Sequence, residues 1–347
     1  GRYVYQTLRE VALRSQMPLL RWLDARGIPY QRFYLVNMVA VRGNAALLER
    51  LAARPDVARL EANPRVHASL AQVEPDGLVV TAATATIESN VRSIRADEVW
   101  RRYGVTGEGV VIAGQDTGYD WDHPALRAHY RGWDGQQANH DYNWHDAIDD
   151  TAVPLDDYNH GTHTMGIMVG DDGQGNQIGV APGAKWIGCR NMDKGIGSPS
   201  SYTECFEFFL APYPHGGDPL QDGNPGLAPD IINNSWACPW SEGCEQGTLR
   251  RVVEAVRAAG IMVVVSAGNS GTACGSVAEP PAHYEASFTV GNYDHRSGNI
   301  AYSSSRGPVS VDGSQRLKPD IVAPGQAIRS CIRGTAYILL SGTSMAA

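Results

Sequence analysis

Four polar residues of this 347-residue sequence stand in contexts that suit a hydrolytic site. Ser344 follows glycine and threonine and precedes small apolar residues, a composition typical of a tight turn that starts a helix. Because a serine hydroxyl is a poor nucleophile at neutral pH, it needs an imidazole as base and a buried carboxylate to orient that imidazole. His160, in Asn-His-Gly-Thr-His, and Asp116, in Asp-Thr-Gly, are the candidates. The side-chain amide of Asn269, in Ala-Gly-Asn, could stabilise the oxyanion of a tetrahedral intermediate.

The alternation of strand and helix patterns indicates how these side chains could be brought together. Short apolar runs bounded by glycine or polar residues predict strands buried on both faces at 109–114, 184–188, 230–233 and 261–266. Helical patterns lie between them at 161–170, 202–210 and 248–259. The alternation predicts an α/β fold with a parallel twisted sheet and helices on both faces. Asp116 and Asn269 would lie at the carboxyl ends of strands, where such sheets bind ligands.

A smaller unit precedes this sheet. Residues 3–26 show helical spacing with a break near Met17, residues 30–41 predict a strand, and Asn44 would cap a helix over 45–53. The Ala-, Thr-, Pro- and Gly-containing stretch that follows predicts a linker. We therefore divide the chain into a small α+β domain, a linker and a larger α/β domain, at residues 1–75, 76–89 and 90–347.

Charge is distributed unevenly between these parts. Residues 1–75 carry a net charge of +5 and the remainder a net charge of −13, which favours docking of one on the other. The arginines of the first part are scattered rather than clustered, so nucleic acid is not an expected partner. No apolar run approaches the length of a membrane span.

Six cysteines and several acidic loops leave disulfides and metals open. The cysteine spacing matches no zinc pattern, while Cys238 and Cys244 are close enough to close a small disulfide loop. Buried free thiols are the alternative. The acidic stretch 171–176 resembles a calcium loop only superficially, because it lacks the terminal glutamate of an EF-hand. Metal ligands therefore stay unassigned.

The four motifs occur in the order Asp-Thr-Gly, His-Gly-Thr-His, Ala-Gly-Asn and Gly-Thr-Ser-Met-Ala. In this order they resemble the subtilisin-like serine proteases (subtilases, peptidase family S8) over residues 90–347. The segments 186–191 and 233–236 are most similar to the bacillopeptidase F-type branch. The resemblance implies a serine endopeptidase that works through an acyl-enzyme. Its triad would be Asp116, His160 and Ser344, with Asn269 as oxyanion donor.

The resemblance also implies where a polypeptide substrate would bind. An extended substrate would pair with the backbone of Gly195, Gly197, Ser235, Trp236 and Ala237. Three small residues would form the other wall of the pocket for the side chain that precedes the scissile bond, namely Ser266, Ala267 and Gly268. Their size suggests an open pocket, and no acidic residue stands out there that would demand a basic substrate.

Residues 1–75 resemble the inhibitor I9-like propeptide of subtilases, which implies a zymogen whose own propeptide acts as inhibitor and folding assistant. Cleavage would fall in the linker 76–89. The resemblance further implies secretion, and an oxidising environment favours disulfides. It also implies chemistry that requires no cofactor. Many subtilases bind calcium, so structural calcium is a hypothesis without assigned ligands.

Subtilases continue beyond the serine motif. We therefore expect the sequence to be an excerpt that lacks the C-terminal part of the catalytic domain, and to be inactive alone. The alternative function is a non-catalytic or permanently inhibited subtilase-like binding module. A third hypothesis is a processing protease with one physiological substrate.

Overall fold

The computed structural model describes residues 1–67, 72–73 and 86–347, so residues 76–85 of the predicted linker lie outside the described part. The first 67 residues contain α1 (Arg2–Ser15), α2 (Met17–Asp24), β1 (Tyr30–Phe33), β2 (Met38–Val41), α3 (Ala45–Ala52) and β3 (Val66–His67). The predicted break near Met17 is confirmed by the separation of α1 from α2. The Asn44 side chain caps α3 as predicted, because its oxygen accepts the backbone N–H of Leu47 at 3.1 Å.

The single strand predicted at 30–41 is wrong, because this segment is a hairpin. β1 and β2 pair antiparallel, with Tyr30 opposite Val41, and Asn37 takes a φ of 50° in the turn between them. The turn escapes the sequence pattern because it contains Tyr34 and Leu35, which are apolar and buried. They are buried because the turn packs against the larger unit, so tertiary contact overrides the usual polarity of a turn.

The larger unit is built on a seven-stranded sheet. The strands that follow the first unit are β4 (Gln72–Val73), β5 (Thr86–Ile87), β6 (Val111–Asp116), β7 (Trp144–Asp146), β8 (Asn176–Gln177), β9 (Lys185–Arg190), β10 (Met192–Asp193), β11 (Ile196–Gly197), β12 (Ile231–Asn234), β13 (Met262–Ser266), β14 (Phe288–Tyr293), β15 (Ile321–Pro324), β16 (Ile328–Cys331) and β17 (Tyr337–Ser341). The sheet order is β15-β14-β13-β12-β6-β9-β7, and every pair of neighbours is parallel. The predicted α/β fold with a parallel sheet is therefore confirmed.

Helices cover both faces of this sheet. They are α4 (Ser89–Ser93), α5 (Ala96–Tyr103), α6 (Pro124–Arg127), α7 (His160–Val169), α8 (Pro199–Leu210) and α9 (Arg250–Ala258). Consecutive residues of β6 belong to different cores: Ile112 packs with Met165 of α7, and Ala113 packs in the cluster that contains Phe206 of α8. This two-sided burial explains the uninterrupted apolar run that the sequence shows at this strand.

The order of the sheet brings three strand ends together. β6, β12 and β13 are parallel neighbours, so their last residues, Asp116, Asn234 and Ser266, lie at one edge of the sheet. The smaller antiparallel sheets β10-β11-β3 and β16-β17-β4 each add a short strand from residues 66–73 to strands of the larger unit.

Two disulfides are present. Cys238–Cys244 closes the loop that the sequence suggested, and Cys189–Cys205 joins β9 to α8. Cys274 is an exposed free thiol and Cys331 a buried one. Among the described residues, no helix combines the length and the apolarity needed to cross a membrane.

Candidate active site

The closest contact among the predicted catalytic residues joins Asp116 to His160. Asp116 ends β6 and His160 begins α7, and His160 Nδ1 lies 2.7 Å from Asp116 Oδ1. Both residues are buried, with 1% and 3% of their surface exposed. Gly161 permits this approach, because a Cβ there would lie 2.1 Å from the backbone oxygen of Gly118. The helix can therefore meet the strand end only with glycine at this position.

The surroundings of His160 favour its protonated form. Burial disfavours the imidazolium, but the charge of Asp116, its hydrogen bond and the charge of Asp156 outweigh burial and raise the pKa of His160 above its ordinary value. His160 Nε2 is buried and has no hydrogen-bond partner among the described residues. A histidine held in this way through Nδ1 can take a proton at Nε2.

Ser344 lies in a short 3₁₀ turn, Thr343–Met345, directly after β17 and Gly342. It is 2% exposed, and its Oγ donates to the backbone oxygen of Ser235 at 3.1 Å. The Ser235 hydroxyl in turn donates to the backbone oxygen of Ser344 at 3.0 Å. These reciprocal bonds tie the serine turn to the segment that follows β12, so the Ser344 hydroxyl is hydrogen-bonded there and not to His160.

Asn269 contacts the same turn. Its Oδ1 accepts the backbone N–H of Thr343 at 2.9 Å and the Thr343 hydroxyl at 3.0 Å. The two bonds fix the amide with its oxygen towards the neighbour of Ser344 and so orient its N–H donors. The role of this amide as oxyanion donor stays a prediction.

Asp156 holds the strand end and the helix start together. The residue is buried, and its Oδ1 accepts the Thr117 hydroxyl and the backbone N–H groups of Tyr158 and Asn159, each at 2.9 Å. Its Oδ2 accepts the backbone N–H and the hydroxyl of Thr162 at 3.0 and 2.6 Å. One carboxylate thus connects the neighbour of Asp116 to the first turn of α7. Sequence reasoning missed this residue, although an acid four positions before a helix-starting histidine could have indicated it.

The residues proposed to bind substrate lie around these groups. Gly197 ends β11, and Ser235–Ala237 follow β12. The Trp236 ring is buried, stacks on Tyr202 at 3.9 Å and donates Nε1–H to the backbone oxygen of Gln115. Because the Trp236 side chain packs in the core, the segment after β12 can contact a substrate through its backbone and not through this side chain.

The opposite wall is formed by the segment after β13. Ser266 and Ala267 are buried, and Gly268 follows them with a φ of 96°. Gly195 precedes β11 with a φ of 78°, so both glycines occupy backbone conformations that other residues rarely adopt. Among the predicted catalytic residues, the structure joins Asp116 to His160 and Asn269 to the turn that contains Ser344, while the Ser344 hydroxyl is hydrogen-bonded to the backbone oxygen of Ser235.

The neighbouring His163 does not take part in this arrangement. Burial lowers its pKa to about 3, and its Nε2 is hydrogen-bonded to the backbone oxygen of Ile338 at 3.1 Å. It is a neutral packing residue of α7, three residues after His160 on the same helix. Within the described residues, no cluster of three or more His, Cys, Asp or Glu side chains could hold a metal ion. The possibility of structural calcium stays a prediction.

Residues 107–347 match the subtilase family of peptidases. Bacillopeptidase F of Bacillus subtilis is 36% identical over 99% of this chain, and the match spans 24% of that protein. Serine protease AprX of the same organism is 32% identical over 76% of this chain and 60% of its own length. A thermophilic serine proteinase from a Bacillus strain is 31% identical over 70% of this chain and 50% of its own length. The chain thus spans less than two thirds of each of these relatives.

Proposed function

The chain belongs to the subtilase family, and we propose that it carries a serine endopeptidase site held as a zymogen by its own N-terminal unit. The observation that carries the catalytic part is the buried 2.7 Å contact between Asp116 and His160, with Asn269 and the Ser344 turn at the same sheet edge. Polypeptides are the proposed substrates, in keeping with the serine proteases that the chain resembles.

In the proposed reaction, the Ser344 side chain turns from the backbone oxygen of Ser235 towards His160 Nε2. Ser344 Oγ attacks the scissile carbonyl carbon while its proton passes to His160, and the charge of Asp116 stabilises the imidazolium. The Asn269 amide donates to the oxyanion. Collapse of this intermediate passes the proton to the leaving amine and leaves an acyl-enzyme, which water hydrolyses by the same steps in reverse.

The proposed inhibition by the N-terminal unit is supported by strand pairing at the site. β3 lies antiparallel to β11, with Val66 opposite Gly197 and His67 opposite Ile196. Glu242, in the loop after the substrate-binding segment, accepts the backbone N–H of His67 at 2.5 Å. A segment that occupies the backbone edge intended for substrate would exclude substrate from it.

A second contact supports docking of the hairpin turn. The buried carboxylate of Glu207, on α8, accepts the backbone N–H groups of Tyr34 and Leu35 at 2.7 and 2.9 Å. The Tyr34 hydroxyl donates to the backbone oxygen of Glu207 at 2.9 Å. Both N–H groups belong to the turn between β1 and β2, so α8 offers an acceptor that matches the N-terminal unit. We propose secretion as well, supported by the two disulfides.

The proposal is tested with Ser344→Ala in the full-length protein. We expect this variant to lose peptide hydrolysis, reaction with a fluorophosphonate probe and self-cleavage of the N-terminal unit, because each needs the nucleophile. Ser297→Ala, in an exposed loop, is the matched control and should keep all three. Self-cleavage that persists in Ser344→Ala would refute the assignment. A permanently inhibited binding module would leave the unsubstituted protein unlabelled.

A further inference from the structure

An acidic side chain, Glu279, lies next to Gly268, one of the residues proposed to line the pocket for the side chain that precedes the scissile bond. Glu279 follows Asn269 by ten positions in the chain, at the end of the loop that leads to Pro280 and Pro281. The proposed walls of this pocket are 266–268 and 235–237. The inference below rests on the protease function proposed above and names its substrate class.

Glu279 is placed by contacts with both walls. Gly268 has no Cβ, and one built there would lie 3.9 Å from Glu279 Oε2 and 3.1 Å from Ser305 Oγ. On the other side, the backbone oxygen of Pro280 accepts the N–H of Cys238 at 2.8 Å, directly after the segment 235–237. The Glu279–Pro280 segment therefore connects the two walls, and the carboxylate reaches the face of Gly268 where a side chain is missing.

This carboxylate has no counter-charge of its own. Among the described residues it makes neither a hydrogen bond nor an ion pair, although it is half-buried. Burial raises its pKa, and the nearby charge of Glu242 raises it further. Removing a carboxylate from water without a partner is costly, so a cation that entered the pocket would be stabilised by it.

The size of the pocket walls fits a long side chain. The proposed walls carry only small side chains at 266–268, and the Trp236 ring on the facing wall is buried against Tyr202. A lysine or arginine side chain can pass its apolar stem between such walls and bring its charge to Glu279. A shorter or neutral side chain would leave the carboxylate desolvated and unpaired.

We propose that this protease cleaves after lysine or arginine, and that Glu279 determines this specificity by pairing with the substrate cation. An acidic residue in place of the cation would meet repulsion from Glu279 and Glu242. Both cationic side chains can form the ion pair, and arginine can form it through two parallel hydrogen bonds.

The test compares peptides that are identical except at the residue before the cut, with lysine, arginine, methionine, phenylalanine or glutamate there. The enzyme is the full-length protein after self-release of its N-terminal unit. We expect kcat/KM for lysine and arginine to exceed that for methionine by about 30-fold or more. In Glu279→Gln, which keeps the shape but removes the charge, this preference should disappear while cleavage after methionine and phenylalanine persists.

Glu285→Gln is the matched control, since Glu285 is exposed and pairs with Arg316 on the surface; it should keep the preference. Fluorophosphonate labelling of each variant reports whether its site is intact. A labelled enzyme that cleaves after neutral residues as well as after lysine, or a Glu279→Gln variant that retains the preference, would overturn the specificity and leave the protease function standing. Absence of both labelling and cleavage in the unsubstituted enzyme would overturn the protease function itself.

Discussion

His160 is the residue at which the buried charges of the site converge. Its Nδ1 is bound to Asp116, and a second carboxylate, Asp156, adds to the field that raises its pKa. A base must be neutral to accept a proton, so activity should be lost as the pH falls through this raised pKa. The same charges also stabilise the imidazolium that forms during catalysis. They contribute to the rate through this stabilisation.

Asp116→Asn should separate these two effects. We expect kcat to fall by about 10⁴-fold, because the imidazolium loses its counter-charge and its orientation. Without the charge and hydrogen bond of Asp116, burial lowers the pKa of His160 and only the smaller effect of Asp156 opposes it. The acidic limb of the kcat/KM profile should therefore move to lower pH. The same change at exposed Asp122 is the control, and a limb that moves to higher pH would contradict this account of the site.

The candidate catalytic residues could be named from the sequence, whereas Asp156, Glu207 and Glu279 could not. Ser344, His160 and Asn269 stand in short motifs whose residue types define their possible roles. Glu279 was missed because only the folded loop brings it to the face of Gly268, and Glu207 because its partners lie in another unit of the fold. Such roles depend on contacts between residues distant in the chain, which local composition does not record.

At the scale of elements, the start of α7 depends on one buried acid. Asp156→Asn replaces a carboxylate oxygen with an NH₂ group that cannot accept, so buried donors from Thr117 or Thr162 lose their partner. We expect a loss of stability of about 1–3 kcal/mol. A displaced His160 would lower kcat/KM by about 10²-fold. The measurements are thermal unfolding and peptide hydrolysis in the full-length protein.

Asp134→Asn is the control for this change, since exposed Asp134 also accepts two backbone N–H groups, from Gln136 and Gln137. Water can replace the acceptor there, so both effects should be smaller. Equal losses of activity in the two variants would contradict a positioning role for Asp156.

Elements of the sheet were predicted where burial on both faces leaves an apolar run, as at β6, β9, β12 and β13. The edge strand β7, Trp144–Asp146, is three residues long and polar at two of them, so it has no such signature. The hairpin at 30–41 was predicted as one strand because its turn is apolar. The strand pattern thus records burial on both faces. It fails at β7, which is short and polar, and at 30–41, where another unit buries the turn.

At the scale of the whole molecule, the opposite charges of the two units are only a small part of what joins them. Among the described residues, one arginine–carboxylate pair crosses between them, Arg59 with Glu245, and both side chains are more than half exposed. Exposed pairs contribute little to stability. The buried contacts include the apolar packing of Tyr5 and Tyr34 and the hydrogen bonds to Glu207. Docking should therefore respond more to the protonation of Glu207 than to salt.

Glu207 makes this response testable, because burial raises its pKa from 4.5 to about 8, against the opposing effect of its bonds to Leu35 and Tyr34. We expect undocking to expose this carboxyl and to return its pKa towards the ordinary range, so that the docked state binds the extra proton. The equilibrium constant for docking should fall as the pH rises between these two pKa values, by up to about tenfold per pH unit. Both N–H groups bond to the same oxygen, so Glu207→Gln keeps an acceptor and should dock independently of pH.

Glu207→Ala removes the acceptor and should weaken docking at every pH, by about 1–3 kcal/mol for each N–H left unpaired. Hydrogen exchange of the segment that contains Tyr34 and Leu35, measured in the uncleaved Ser344→Ala background, reports the open state. At each pH, the exchange rate of the protein with the native glutamate is divided by that of Glu207→Gln. This ratio cancels the intrinsic pH dependence of exchange. That ratio should rise with pH for the native glutamate. A ratio that is constant, or that rises towards acid, would show that Glu207 does not bind its proton on docking.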